Sequence, residues 1–480
     1  MLNKFKLLAL FAMLVCLFQS CTEDNEIISS DFRITDENEV NARRGGDRPS
    51  GQDLARLEHT VSSRWIKLFL ELERYAAGMR PNASARAMAY IALAAYETGV
   101  PGMPDFESNS GRIPDFRISN EALVQNIDWE MALNACYANV LNHFLLNVPE
   151  QYKGKITDLE AELDADLRSA SESSNLDDSN AWGSAVAAQV IAYSQTDAEA
   201  EGQVLEPQPL SYEPPTGEGY WTYSAEQERG LFPYWEKVRT FVVSPQRTTS
   251  LPPVEYSENP SSNYFSQMKE VYESNNNART EDGEDLWIAE FWSDDVENMM
   301  FSPPARQFSI AQQLVDQFDL NLDRTLYLYL KLGFSLNDAA VSTWKYKYDF
   351  MVMRPNVFIH EFIDPNYQTN LYRLIPWPNP TFPSYPSGHS AFASAAAGVF
   401  IEFFDNRVNF TDRSHEDRVE FRGAARTFNS FREMAEENAY SRIPLGVHMR
   451  MDCTEGLRLG YEISDAIDRY DLDRRDRRPR

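Results

Sequence analysis

Pro383-Ser384-Tyr385-Pro386-Ser387-Gly388-His389 runs straight into Ala391-Phe392-Ala393-Ser394-Ala395-Ala396-Ala397. Two prolines and a glycine hold the first part in a tight, non-helical approach. The alanines that follow have the strongest helix preference of any residue. The run from Ala391 to Phe404 is apolar but short and broken by Glu402, which predicts a tightly packed buried helix and not a membrane span. Ser387, Gly388 and His389 then sit at a helix N-terminus, where free N–H groups and the positive end of the dipole make an anion cradle. Glycine lets an oxyanion approach the backbone itself. Read alone, the stretch is more simply a Ser-capped helix with an incidental histidine.

Upstream, Lys347 and Arg354 stand seven residues apart between Trp344 and Pro355. On a continuous α-helix this is about 20° short of two turns and about 10 Å along the axis, so both cations point to one side. Pro355 predicts a helix end just before it, leaving Arg354 at a terminus. Downstream, Ser441-Arg442-Ile443-Pro444-Leu445-Gly446-Val447-His448 precedes Asp452. If a helix begins near His448, the Asp452 carboxylate shares its face and holds one ring nitrogen while the other is offered to a ligand. Taken singly, these are a solvated cationic face and a satisfied core histidine.

Together, in this order and spacing, the three segments resemble the signature of the type 2 phosphatidic acid phosphatase and vanadium haloperoxidase superfamily. The resemblance implies a C-terminal helical bundle of acid phosphatase/vanadium haloperoxidase type. It implies that Lys347, Arg354 and Arg442 supply positive charge to a phosphate or vanadate anion, and that Ser387 and the Gly388 N–H complete a hydrogen-bond cage. His448 looks like the apical residue, bonding vanadium or attacking phosphorus, and His389 like the general acid/base. Asp452 resembles the carboxylate that orients the histidine. Trp344 and Phe382 stand where the soluble vanadium haloperoxidases place aromatic walls near the halide. Trp292-Ser293-Asp294 looks like the segment whose aspartate pairs with an active-site arginine, so Asp294 is expected to brace Arg354 or Arg442.

The cofactor so implied is vanadate, with no divalent metal expected. The partners are hydrogen peroxide, a halide (iodide or bromide ahead of chloride) and a small organic acceptor. A soluble periplasmic acid phosphatase with a phosphohistidine intermediate is the alternative. A non-catalytic phosphate- or vanadate-binding lipoprotein is a second.

The rest of the 480-residue chain supports an all-α reading. Trp65, Leu68, Phe69, Leu72 and Tyr75 recur at helical spacing, as do Met88, Ile91, Ala92 and Ala95. Further amphipathic stretches run through Trp129 to Leu146 and Ala181 to Tyr193. Between about Gly202 and Pro260 the pattern gives way to a Pro-, Gly- and aromatic-rich connector. Helical periodicity resumes near Tyr264, so two helical bundles are expected, an N-terminal domain with the connector over 53–260 and a catalytic domain over 261–475. An apolar helical face serves either a homodimer or the interface between these domains.

With 45 Lys and Arg against 73 Asp and Glu, the net charge of -28 disfavours nucleic acid as a partner. Lys4 and Lys6 precede the apolar run Leu7–Phe18, which reads as an export signal over residues 1–20. Leu17-Phe18-Gln19-Ser20-Cys21 resembles a bacterial lipoprotein signal, with Cys21 the lipidated residue. A polar tether over 21–52 follows, which places the protein at the cell envelope, held by a lipid anchor on the outer membrane. Cys136 and Cys453 form either one disulfide or two buried thiols.

Overall fold

The computed structural model describes residues 53–474 apart from 172–173, 224–228, 282, 295 and 372–378. The expected leader, the tether and Cys21 lie outside the described residues. Among the described residues, fourteen α-helices carry the fold. The N-terminal group is α1 (Thr60–Glu73), α2 (Asn82–Gly99), α3 (Trp129–Phe144), α4 (Glu150–Ala170), α5 (Leu176–Gln195) and α6 (Ala198–Leu205). The C-terminal group is α7 (Asn263–Glu281), α8 (Glu284–Phe291), α9 (Pro303–Phe318), α10 (Leu322–Phe350), α11 (Pro355–Phe362), α12 (Gly388–Phe404), α13 (Phe431–Leu445) and α14 (Arg450–Arg469). A short antiparallel hairpin pairs Phe410 with Phe428 and Asp412 with Arg426. The chain is therefore all-α, as its periodicity predicts.

Close backbone approach sets the packing. A Cβ placed on Gly333 of α10 would fall 2.9 Å from Ala89 Cα, so α2 and α10 touch main chain to main chain. The alanines of α2 make this possible, since they add no bulk on the shared face. One hydrophobic cluster draws on both groups, from Leu54, Trp65 and Tyr90 through Phe334 and Trp344 to Phe400 and Leu459. No break in this core falls near 260. In the same way, a Cβ on Gly456 of α14 would lie 2.4 Å from the Ser387 carbonyl oxygen, and one on Gly460 2.3 Å from that of Ala391. Helix α14 thus lies directly against the N-terminal turns of α12.

Among its described residues the connector contains no α-helix between α6 and α7, and it binds the C-terminal helices through its backbone. The buried Asp338 carboxylate of α10 accepts the N–H groups of Phe241, Val242 and Val243 at 2.8, 2.9 and 2.9 Å. The Leu231 carbonyl accepts both Trp344 Nε1 (3.1 Å) and the Tyr348 hydroxyl (2.8 Å). Tyr385 donates its hydroxyl to the Leu251 carbonyl, while Leu251 N–H donates to Glu455 of α14. Cys136 and Cys453 are free and buried, which removes the disulfide alternative. Among the described residues no helix is long and apolar enough to cross a membrane.

Candidate active site

Lys347 sits in the last turn of α10, which stops at Phe350 with Met351 in the left-handed conformation (φ 52°). Arg354 then caps α11 in extended backbone, with Pro355 at the first helical position. The two cations therefore do not share one helix, and the rotation argument from a seven-residue spacing does not apply. The chain reversal at Met351 brings them together instead. Lys347 Nζ donates to the carbonyls of Pro383 (3.0 Å) and Ser384 (2.9 Å). Arg354 donates through Nε to the Phe382 carbonyl (2.8 Å) and through Nη1 to that of Val447 (3.1 Å). Each cation of the first segment is thus anchored on the second or third.

Ser387 caps α12, its hydroxyl accepting the Ser390 N–H at 3.4 Å, so Gly388 and His389 open the helix as the prolines and alanines predict. A Cβ on Gly388 would meet the Trp344 ring at 3.3 Å and Lys347 Cε at 3.9 Å. Any other residue would fill the space between the helix N-terminus and the lysine. His389 Nε2 lies 3.2 Å from the Ser293 carbonyl oxygen.

Arg442 ends α13, where Gly446 (φ 91°) turns the chain toward His448. Its Nη1 donates to the carbonyls of Trp292 (2.7 Å) and Ser293 (3.3 Å). The segment expected to brace an arginine does so, through its main chain. The Asp294 carboxylate lies 3.5 Å from Arg306 and 3.4 Å from His415, on left-handed backbone (φ 45°).

His448 and Asp452 behave as the spacing predicts. Asp452 is the third residue of α14, and its Oδ2 lies 3.0 Å from His448 Nδ1 while accepting Met449 N–H at 3.1 Å. An ionised carboxylate only accepts, so the ring proton is on Nδ1. Nε2 lies 3.2 Å from Arg354 Nη1, and a guanidinium only donates. Both neighbours therefore select the tautomer with the lone pair on Nε2. Burial, then Arg354, Lys347 and Arg442, hold the His448 pKa well below the usual imidazole value, so the ring is neutral at neutral pH. Burial, then Arg354, depress Lys347 likewise, with Asp452 opposing. Burial raises the Asp452 carboxyl to about 6 against the bonds from Ser384 and Met449.

The aromatic walls are in place. Trp344 and Phe382 have ring centroids 4.9 Å apart. Lys347 Nζ lies 5.1 Å from the Phe382 centroid and Arg354 Cζ 4.7 Å, so that ring faces two cations. The residues of the three segments converge here with Trp344 and Phe382. Two contributors escaped the sequence reading. Ser384 donates its hydroxyl to Asp452 Oδ2 at 2.6 Å, and Leu231 holds the Trp344 indole. Ser384 lies inside the quoted stretch, whereas nothing in the connector marks Leu231.

Residues 327–472 match the family model of the VCPO second helical-bundle domain. The crystal structure of the first bacterial vanadium-dependent iodoperoxidase superposes with a TM-score of 0.75, at 24% identity, covering 88% of this chain and 97% of that one. This chain has the vanadium haloperoxidase fold. The holo-type bacterial vanadium-dependent chloroperoxidase also shares it, with a TM-score of 0.62 at 16% identity over 90% of this chain and 97% of that one. Vanadium chloroperoxidase of Curvularia inaequalis is 23% identical over 213 residues, which are 34% of this chain. The match spans about a third (35%) of that protein's length. The matched domain model and the shared fold are those of the group whose signature the three segments resemble.

The donor set suits an oxyanion that also takes a nitrogen ligand. Lys347, Arg354, Arg442, the Ser387 hydroxyl and the Gly388 amide offer donors, and His448 Nε2 offers a lone pair. Orthovanadate needs both. The Gly388 space, which a Cβ would occupy, lies between them.

Proposed function

We propose that this chain is a vanadate-dependent haloperoxidase that oxidises halide, iodide or bromide ahead of chloride, with hydrogen peroxide. The observation that carries this is the His448 imidazole, fixed by Asp452 with its Nε2 lone pair toward Arg354 in a cluster of buried cations. Vanadate, when bound, supplies Lewis-acid activation of peroxide without changing oxidation state. His448 Nε2, Lys347, Arg354, Ser387, Gly388 and Arg442 would hold it.

Protein groups do the rest. Lys347 and the two guanidiniums balance the anion's charge, and that anion in turn favours the charged form of Lys347 that burial disfavours. His389, at the mouth of α12, takes a proton from peroxide and returns it to the departing water. The Trp344 and Phe382 rings form an apolar wall beside Lys347, where a weakly hydrated halide such as iodide is accommodated more easily than chloride. Overall, halide, hydrogen peroxide and one proton give hypohalous acid and water: the halide loses two electrons, one peroxide oxygen leaves as water, and the other is carried in the hypohalous acid that passes to a small organic acceptor. The export signal and lipidation cysteine read in the sequence, with Cys21 as the anchored residue, support a location outside the cytoplasm on a lipid anchor.

The deciding experiment uses the purified mature chain with and without orthovanadate, assayed for iodide and bromide oxidation by peroxide and for phosphate-ester hydrolysis. Halide oxidation that appears on addition of vanadate supports the proposal. Ester hydrolysis by the vanadate-free protein, inhibited by vanadate and with no halide oxidation, overturns it in favour of a phosphatase. Anion binding with neither activity assigns a binding protein.

A further inference from the structure

Ser384 is a completely buried serine that touches all three functional segments. Its carbonyl accepts Lys347 Nζ at 2.9 Å. Its N–H donates to the Val352 carbonyl at 2.9 Å, two residues before Arg354. Its hydroxyl donates to Asp452 Oδ2 at 2.6 Å and lies 3.4 Å from His448 Nδ1. From this we infer that Ser384 is a positioning residue of the oxyanion site: its hydroxyl fixes Asp452, and through it the direction of the His448 ring.

The argument is one of donors and acceptors. Asp452 Oδ2 is the shared acceptor of the Ser384 hydroxyl, His448 Nδ1–H and Met449 N–H. Met449 N–H is fixed by the helix start, but the His448 ring can rotate about its side-chain bonds. Ser384 approaches from α12's side of the pocket, whereas the other two donors belong to the same turn as Asp452 itself. It is therefore the contact that locks the carboxylate against the second segment. Without the hydroxyl, Asp452 Oδ2 is left with the two donors of its own turn, and the carboxylate and the His448 ring bonded to it can shift together. Partners that orient a metal-bound imidazole typically change metal affinity by about 10- to 100-fold when removed.

The inference rests on the proposed vanadate site for its second readout alone. Histidine-specific 15N NMR of the vanadate-free protein reports the His448 tautomer directly, with the resonance assigned from the His448→Gln spectrum. In the native chain His448 is expected as the Nδ1–H form with one sharp set of ring resonances. In Ser384→Ala the tautomer is kept but the ring loses its single direction, so its resonances are expected to shift and broaden, together with an orthovanadate Kd raised about 10-fold or more by equilibrium dialysis. Ser384→Thr, which keeps the hydroxyl, should restore both. Unchanged His448 resonances in a folded Ser384→Ala protein, or a Thr variant that behaves as the Ala variant does, overturns the inference. If Ser384→Ala does not melt cooperatively, Ser384→Cys decides in its place, being similar in size and a weak donor. Failure of the native chain to bind orthovanadate would sink the proposed function and leave the NMR result to judge Ser384.

Discussion

At the residue scale, His448 and His389 differ in what surrounds them, and their variants should separate accordingly. His448 is buried against three cations and one carboxylate, so His448→Ala removes the lone pair that would hold vanadate. Orthovanadate retention should be lost, with Kd rising about 100-fold or more as measured by dialysis. His389 stands on the other side at the start of α12, where its Nε2 meets a carbonyl and not the carboxylate. His389→Ala should leave the Kd within about 10-fold and lower kcat by about 100-fold or more, as loss of a proton-transfer group does. These assignments were legible in the sequence because helix starts leave local marks: a capping serine, a glycine, and an acid four residues after a histidine. The main-chain grip of Trp292 and Ser293 on Arg442 was not legible, because the direction of a carbonyl is not encoded in side-chain character. Ser384 carried no mark of its own, since its role arises only when Asp452, far along the chain, arrives beside it.

Helices α10, α12 and α14 and the connector make the site at the element scale. The end of α10 at Met351 was not foreseen: Pro355 announces the start of the next helix but not the four-residue reversal before it. Asp338 ties the connector to α10 with three backbone bonds, and Asp338→Ala would leave those N–H groups without their acceptor. A loss of about 2–4 kcal/mol is expected. Burial raises the Asp338 carboxyl to about 6. Between the ordinary aspartate value of about 4 and that pH, the folded chain holds a proton that the unfolded chain has released. This group therefore makes stability fall as pH rises through the window and level off above it. Thermal melts between about pH 4 and 7 should show that slope diminished in Asp338→Ala, beneath an overall lower Tm. A different variant reports on the halide wall. A Cβ on Gly230 would press to 3.2 Å of the Tyr348 hydroxyl, which shares the Leu231 carbonyl with Trp344. Gly230→Ala should thus raise the KM for halide several-fold while the orthovanadate Kd stays within about 2-fold, checked by steady-state kinetics and dialysis side by side.

On the scale of the whole molecule, the sequence shows two helical stretches and a connector but not that they share a core. Small residues at Ala89 and Gly333 are what join them, and smallness reads in a sequence as mere tolerance. Gly333→Leu should force α2 from α10, since even a Cβ falls 2.9 Å from Ala89 Cα. A cost of about 3 kcal/mol or more is expected from overpacking at such a contact, measured by denaturant unfolding. Residues 261–475 expressed alone should aggregate, because α10 would expose the face that α2 covers; a cooperative melt of that fragment would contradict the shared core. The glycine contacts between α14 and α12 have a further consequence. Gly456 and Gly460 bring α14 onto the Ser387 and Ala391 carbonyls with no side chain in between, and His448 and His389 stand at the ends of those same helices. The gap between the two imidazoles is consequently ruled by main-chain thickness, like the jaws of a fixed gauge. Variation in Phe382, Trp344 or the connector can retune what approaches the pocket, but widening it for a bulkier oxyanion requires the two backbones to part.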